Sequence, residues 1–323
     1  MRPCSALLLT LGLLSGCGQA DKPSKSVEYA VQGSYSGAIS TQARYGIIGS
    51  IQHGGSLWDM TQHERLYNWN HQPNSYTNLV AAAFSPEGDY ALTAGQLDLV
   101  LWQLADGRPV WYWNAPAEIL AADLGPAGSL ALLGLADHTA LLFDIKNGGI
   151  HQTLRHQGRV RAVAISADGS VAITGSDDNV ARLWNLATGE PLQQQLHGNG
   201  VNTVAISPSG EYLFSAGQLD KAIIWRASNG RIVHTLTTDE SFIPQRISYT
   251  AAVFSPNSDR LLTGTSAGLV QLWRLSDGGE IKRWELHKRD PFRPTSATVY
   301  ALGFGGDRFY ALGSNGFVNE LRE

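Results

Sequence analysis

Residues 156–185 read HQGRVRAVAISADGSVAITGSDDNVARLWN. An alternating apolar run that begins at Val160 leads into the turn sequence Ser166-Ala167-Asp168-Gly169, and a second run leads through Asp177-Asp178 to Trp184. Asp, Asn, Ser and Gly favour tight turns, and short alternating runs between such turns predict β-strands. The stretch therefore predicts three consecutive strands, the third carrying Trp184, and the turn Ala187-Thr188-Gly189-Glu190 leads to a fourth.

The same unit recurs along the chain. An aromatic ring preceded by an apolar residue returns about every 41 to 48 residues, and Leu321 occupies that position in a degenerate last copy. A period of roughly 40–45 residues with four short strands in each unit is typical of β-propellers. We therefore predict an all-β fold with seven blades. The recurring ring positions are Trp58, Trp102, Phe143, Trp184, Trp225 and Trp273.

Residues 183–185 and their counterparts resemble the WD dipeptide of the WD40-repeat family, and the resemblance extends over nearly all of 29–323. It implies hydrogen-bonded structural tetrads in two blades, although the usual Gly-His pair is absent and blades 1, 3, 6 and 7 lack most of the tetrad. In the fifth blade the aspartate lies one residue nearer its tryptophan than in the fourth. The implied tetrads are His156, Thr174, Asp178 and Trp184 in blade 4, and His197, Ser215, Asp220 and Trp225 in blade 5.

The two ends of the propeller are predicted to meet. The last repeat stops at Glu323, just after its third strand, while the alternating segment Val27-Glu28-Tyr29-Ala30-Val31 precedes the first repeat. Pairing this segment with the last repeat would supply its missing fourth strand and remove an exposed sheet edge. We therefore expect a propeller domain over 27–323, closed by its N-terminal strand and monomeric.

The N-terminal residues predict export and a lipid anchor. The apolar run Leu7–Leu14 follows Arg2 and is too short for a membrane-spanning helix, so residues 1–16 are interpreted as a signal peptide. Leu14-Ser15-Gly16-Cys17 resembles the lipobox of bacterial lipoproteins, which implies lipid modification of Cys17. An ordinary signal peptide with a chance cysteine is the alternative. Residues 17–26 are then a flexible tether, and Gly18, where an aspartate would favour the inner membrane, indicates the outer membrane facing the periplasm.

Composition and motifs favour binding over catalysis. The formal charge of −4 gives no electrostatic case for nucleic acid. The nine histidines show no metal-ligand spacing, no cofactor motif occurs, and Asp177-Asp178 is interpreted as a turn rather than a catalytic pair. The innermost strands are mostly small and apolar, with Arg161 and Asn202 as exceptions. We predict a protein-binding scaffold without a cofactor; the alternative is a periplasmic propeller enzyme, resembling lactonases or quinone-dependent dehydrogenases, with a site at the central channel.

Three of the connections between blades are longer than the others, and all should open on one face of the disc. Loops on a rigid scaffold often carry function, and the mixture of aromatic and arginine side chains is common in binding hot spots. A plain solvated loop is the alternative interpretation. Trp111 and Trp113, on an outer strand, are either exposed or packed between blades. The residues predicted to bind a partner protein are Phe242, Arg246, Arg289, Phe292 and Arg293.

Overall fold

The computed structural model describes residues 20–236, 247–290 and 297–323. They form seven antiparallel sheets of four strands each, and the only helical element among them is one 3-10 turn at Pro126–Gly128. Each sheet corresponds to one repeat, and in all but the last blade the strands follow one another in sequence from the centre of the disc to its rim. We call these strands a to d.

The strand bounds follow the repeats. Blades 1 to 3 consist of β2 (Ser34–Ile39), β3 (Tyr45–Ser50), β4 (Gly54–Asp59) and β5 (Glu64–Trp69); β6 (Ala81–Phe84), β7 (Tyr90–Ala94), β8 (Asp98–Gln103) and β9 (Pro109–Asn114); and β10 (Ile119–Leu124), β11 (Leu130–Leu135), β12 (Thr139–Asp144) and β13 (Ile150–Arg155). Blades 4 to 6 consist of β14 (Val160–Ile165), β15 (Val171–Ser176), β16 (Val180–Asn185) and β17 (Pro191–Leu196); β18 (Val201–Ile206), β19 (Tyr212–Gly217), β20 (Ala222–Arg226) and β21 (Ile232–Leu236); and β22 (Tyr249–Phe254), β23 (Arg260–Thr265), β24 (Leu269–Arg274) and β25 (Glu280–Glu285).

Blade 7 combines both ends of the chain. Its first three strands are β26 (Val299–Gly305), β27 (Arg308–Gly313) and β28 (Phe317–Arg322), and its fourth is β1 (Lys25–Glu28). β1 runs antiparallel to β28 with Lys25 opposite Glu320 and Glu28 opposite Phe317. The predicted seven-bladed propeller, with its last blade completed by the N-terminal strand, is thus confirmed.

The position of that strand differs from the prediction by a few residues. β1 ends at Glu28 rather than at Val31, because the backbone N–H groups of Tyr29 and Ala30 both donate to the carbonyl of Gly316. The chain turns there toward blade 1, and the Tyr29 ring stacks on Trp58 of that blade at a centroid distance of 4.3 Å. The prediction ran on to Val31 because the alternating sequence pattern does not stop where the pairing stops at Glu28, but continues into this turn.

Residues 21–26 are docked on the propeller, so the flexible tether predicted for 17–26 is wrong for this part. The Asp21 N–H donates to the Arg283 carbonyl at 2.9 Å, and the Glu285 N–H donates to the Asp21 carbonyl at 2.9 Å. Lys22 forms an ion pair with Glu285 at 2.6 Å. The segment therefore lies along the outer edge of β25 before β1 begins, and main-chain hydrogen bonds hold it there.

The core lies between the blades. The buried apolar side chains form seven clusters, and each cluster is shared by two neighbouring blades. The cluster between blades 7 and 1 joins Leu312 and Val318 to Ile48 and Met60, so it closes the ring as the others extend it. A fully buried Leu, Ile or Phe contributes roughly 1.5–3 kcal/mol, which makes these interfaces the main source of stability.

No helix among the described residues is long and apolar enough to cross a membrane.

Candidate functional site

One face of the disc carries most of the exposed apolar surface outside the rim. In an antiparallel blade the connections from strand d to the next strand a emerge on the same face as the turns between strands b and c; we call this the connector face. Four large exposed apolar residues lie in the described connections and turns of this face, whereas the described turns of the opposite face have none. They are Val31, Tyr76, Leu97 and Leu219.

Blades 1 and 2 present two of the most prominent of these side chains. Tyr76 is 64% exposed in the long connection between β5 and β6, and its ring lies against His53 with a centroid distance of 5.9 Å. Leu97 is 53% exposed in the turn between β7 and β8. Such residues are unfavourable in water and are enriched where proteins bind one another. Tyr76 lies in one of the three long connections predicted from the sequence, but neither residue was among those predicted to bind a partner, because alternation identifies strand faces and not the exposure of turns.

Among the predicted partner-binding residues, Arg289 belongs to the described part of the chain. Its guanidinium forms an ion pair with Glu28 at 2.5 Å and donates to the Asn315 carbonyl at 2.9 Å. It also lies over the Phe317 ring. Arg289 therefore fastens β1 to β28, and a role in partner binding stays a prediction. Phe242, Arg246, Phe292 and Arg293 lie outside the described residues, as does Cys17.

In blade 4 the structure brings the four predicted tetrad residues into one chain of hydrogen bonds. The Trp184 Nε1–H donates to the Thr174 hydroxyl at 2.8 Å, and that hydroxyl lies 2.7 Å from Nε2 of His156. Nδ1 of His156 lies 3.2 Å from the Asp178 carboxylate. Asp178 also forms an ion pair with Arg182 at 2.6 Å. This series of hydrogen bonds ties strand c (β16) through strand b (β15) to the connection that precedes β14.

In blade 5 the corresponding series of hydrogen bonds ends at His197. Trp225 donates to the Ser215 hydroxyl at 3.1 Å, and His197 Nε2 lies 2.9 Å from the same hydroxyl. Asp220, however, is 3.8 Å from His197 Nδ1, too far for a hydrogen bond, and it accepts the Gly198 N–H instead. The predicted four-membered tetrad is therefore wrong at Asp220. That residue lies one position further along its turn than Asp178 does in blade 4.

Blade 2 contains a complete tetrad that sequence reasoning missed. His71 contacts the Asp98 carboxylate at 2.6 Å and the Thr93 hydroxyl at 2.9 Å, and Trp102 donates to that hydroxyl at 2.8 Å. The histidine and the threonine are 22 residues apart here but 18 residues apart in blade 4. The longer connection between β5 and β6 displaces the histidine from its usual spacing. Only the closeness of Asp98 to Trp102 in the sequence indicated a tetrad in this blade.

The central channel is a cavity of about 710 Å³ lined by the first strands of all seven blades. Its walls are mainly small and apolar, with Asp123 as the one acidic side chain. Asp123 accepts the Ile165 N–H at 2.8 Å and the Leu124 N–H at 2.9 Å, so it links blade 3 to blade 4. Burial raises the pKa of its carboxyl to about 6. Across the described ranges no three His, Cys, Asp or Glu side chains are grouped to hold a metal ion.

The outer tryptophans of blade 2 pack between blades. Trp111 and Trp113 lie against Phe143 of blade 3, at centroid distances of 4.8 Å and 4.0 Å. Of the two interpretations offered by the sequence, packing is therefore the one that the structure shows. Their rings hold β9 against the neighbouring blade.

Thr174→Val should show how much the blade 4 tetrad contributes to the free energy of unfolding. Valine keeps the shape of threonine but leaves both the Trp184 N–H and His156 Nε2 without their partner, at roughly 1–3 kcal/mol for each buried polar group. The matched control is Thr263→Val in blade 6, where the hydroxyl serves only Trp273. We expect the blade 4 variant to lose about twice as much free energy of unfolding in urea titrations. Equal losses would contradict this account.

Stability should fall in mild acid because of the two buried histidines. Burial, with the nearby cations Arg182 and Lys221, lowers the pKa of His156 and of His197 to about 4. In the unfolded chain these pKa values are near 6.5, so the unfolded state binds more protons between pH 6.5 and 4. The free energy of unfolding therefore drops as the pH falls through this range.

The double variant His156→Gln, His197→Gln tests this directly. It should be less stable than the unaltered chain at pH 7 but lose less stability between pH 6.5 and 4. Asp123, whose pKa is raised, adds stability as the pH falls. This contribution is the same in the variant and in the unaltered chain, so it cancels when the two are compared. Urea titrations at several pH values give the two slopes, and parallel slopes would refute the assignment to these histidines.

Comparisons with known proteins agree with this architecture. The family model described as "WD domain, G-beta repeat" matches residues 148–185 and 189–226. No curated protein sequence matches the chain. Among solved structures, the β-propeller domain of Cps50 (Swd1) from Myceliophteria thermophila is similar, with a TM-score of 0.75 at 16% identity over 93% of this chain and 99% of that one. This chain thus contains WD40 repeats at 148–185 and 189–226 and has the β-propeller fold.

Proposed function

We propose that this protein is a non-catalytic scaffold, anchored in the bacterial envelope by lipid on Cys17, that binds a partner protein through its connector face. The observation that carries the proposal is the uneven distribution of exposed apolar side chains between the two faces of the disc. WD40 propellers typically mediate protein–protein interactions, which favours the same conclusion. The strand ends that flank the three long connections, between β5 and β6, β21 and β22, and β25 and β26, also lie on this face.

The chemistry of the central channel supports a scaffold rather than an enzyme. Asp123 is occupied by two backbone N–H groups, and Arg161 at the channel wall forms an ion pair with Asp177 at 3.0 Å. Catalysis by acid and base needs polar groups that converge on a bound substrate. Most of the remaining wall residues are alanine, valine and other apolar types, and the polar residues Asn202, Thr203 and Thr250 donate to main-chain carbonyls.

The sectors of the disc differ in polarity. Large exposed apolar residues are concentrated in blades 1 and 2, whereas the described parts of blades 6 and 7 have none. Those two blades are instead rich in ion pairs, including Lys282–Asp21 and Arg308–Glu320. The docked N-terminal segment lies in this charged sector. A lipid-anchored propeller would therefore carry its N-terminal attachment on the charged sector rather than on blade 2.

Replacing Tyr76 and Leu97 together by serine tests the connector face. We expect recovery of the cross-linked partner from membranes to fall at least about tenfold, because both exposed anchors are lost. Leu66→Ser with Ile150→Ser is the matched control, since these residues are similarly exposed but lie on outer strands. Equal recovery with the Tyr76/Leu97 variant would count against this face, and loss with the control would point to the rim.

The anchor is tested separately with Cys17→Ala. The unaltered chain should incorporate labelled palmitate and fractionate with outer membranes, while the variant should lose the label and appear in the soluble periplasmic fraction. Gly18→Asp is the matched control: it keeps the lipid and should shift the protein to inner membranes. Membrane association that survives in Cys17→Ala would refute lipid anchoring without bearing on the connector face.

A further inference from the structure

The outer strand of blade 2 has an unusual combination of rigidity and exposure. β9 has a single strand neighbour, β8, so its outer edge offers unpaired main-chain N–H and C=O groups. Its side chains alternate: Trp111 and Trp113 pack inward on Phe143, while Val110 and Tyr112 point outward and are 51% and 46% exposed. The inward rings hold the strand flat against blade 3. The edge is thus presented in a fixed, extended form.

Proteins normally protect such edges with charged side chains. β5 begins with Glu64 and Arg65, and β25 contains four charged residues in its six positions. β9, with the sequence PVWYWN, contains none, and Pro109 at its start is its only protective feature. β17 and β21 are also uncharged, but β9 is the outer strand that exposes an aromatic ring.

At one point the rim of this propeller already pairs through its main chain with an additional segment, which belongs to the chain's own N-terminal part. At the outer edge of β25, Asp21 forms a parallel bridge with Trp284 and exchanges main-chain hydrogen bonds with Arg283 and Glu285. The added segment is charged, and its charges match those of the strand: Asp21 with Lys282 and Lys22 with Glu285. Main-chain pairing therefore provides the attachment, and side-chain complementarity selects the segment.

We propose that β9 binds an extended, uncharged segment of a partner protein, which adds as a fifth strand to blade 2. By the complementarity seen at β25, a segment that fits Val110 and Tyr112 carries β-branched or aromatic residues at alternate positions. In strand addition the main chain supplies the affinity and the alternate side chains supply the specificity. Strand addition at the rim is independent of partner binding at the connector face.

A synthetic peptide tests the inference on the full-length protein. The probe is a nine-residue peptide in which threonine alternates with valine or tyrosine, with a lysine at each end for solubility and a fluorophore for anisotropy. It should bind saturably and slow amide hydrogen exchange in β9. A peptide with prolines at alternate positions cannot donate the same main-chain hydrogen bonds and should bind at least about tenfold more weakly. Equal binding of both peptides, or none, would overturn the proposal.

Variants place the binding on the rim. Tyr112→Lys puts a charge on the exposed face of β9 without touching the core, so its thermal unfolding should be unchanged while peptide affinity falls at least about tenfold. Leu192→Lys on β17 is the matched control, since Leu192 is also 46% exposed on an uncharged outer strand. Retained affinity in Tyr112→Lys, or an equal loss in Leu192→Lys, would contradict the assignment to β9.

The oligomeric state tests the other occupant of a free edge, a second copy of this chain. Analytical ultracentrifugation of the unaltered protein should give a monomer. A dimer that Tyr112→Lys dissociates would assign the edge to self-pairing and overturn the proposal. These outcomes are independent of the Tyr76 and Leu97 experiment, because neither residue belongs to β9.

Discussion

Each blade of this protein buries its apolar faces only against its neighbours, and that constraint governs the rest of the structure. Seven clusters lie at seven interfaces, and a single open interface would expose one of them to water. The ring must therefore close, and it does so with β1 from one end of the chain beside β28 from the other. Arg289, which contacts both Glu28 and Asn315, reinforces the same junction.

Polar links between strands vary from blade to blade while the apolar packing remains constant. Blades 2 and 4 have complete histidine tetrads, blade 5 has three members, and blade 6 retains only the bond from Trp273 to Thr263. The buried ring of strand c is common to blades 2 to 6, as tryptophan or as Phe143. Apolar burial is therefore the general requirement of a blade, and the hydrogen-bonded chain adds stability and fixes geometry where the sequence supplies it.

The number of blades and the closure could be predicted from the sequence because the strand-c ring repeats and the final repeat is short. Details that depend on connection length could not. His71 was hidden by the long connection before β6, and the one-residue displacement of Asp220 was visible but its consequence, a broken contact with His197, was not. Asp123 occupies a position where other blades carry apolar residues, yet nothing in its neighbourhood revealed the two N–H groups that it accepts. The exposure of Tyr76, Leu97 and Tyr112 depends on the three-dimensional arrangement of loops and outer strands, which the alternation of apolar and polar residues does not specify.

The docked N-terminal segment has a mechanical consequence. For a molecule held by that end, a pull reaches the two main-chain hydrogen bonds around Asp21 and the ion pairs of Lys22 and Lys282 before it reaches β1. These ion pairs lie at the surface, where they contribute little to stability, so they can break without opening the ring. In a molecule held by that end, the segment at β25 would therefore bear load before the junction between β1 and β28 does.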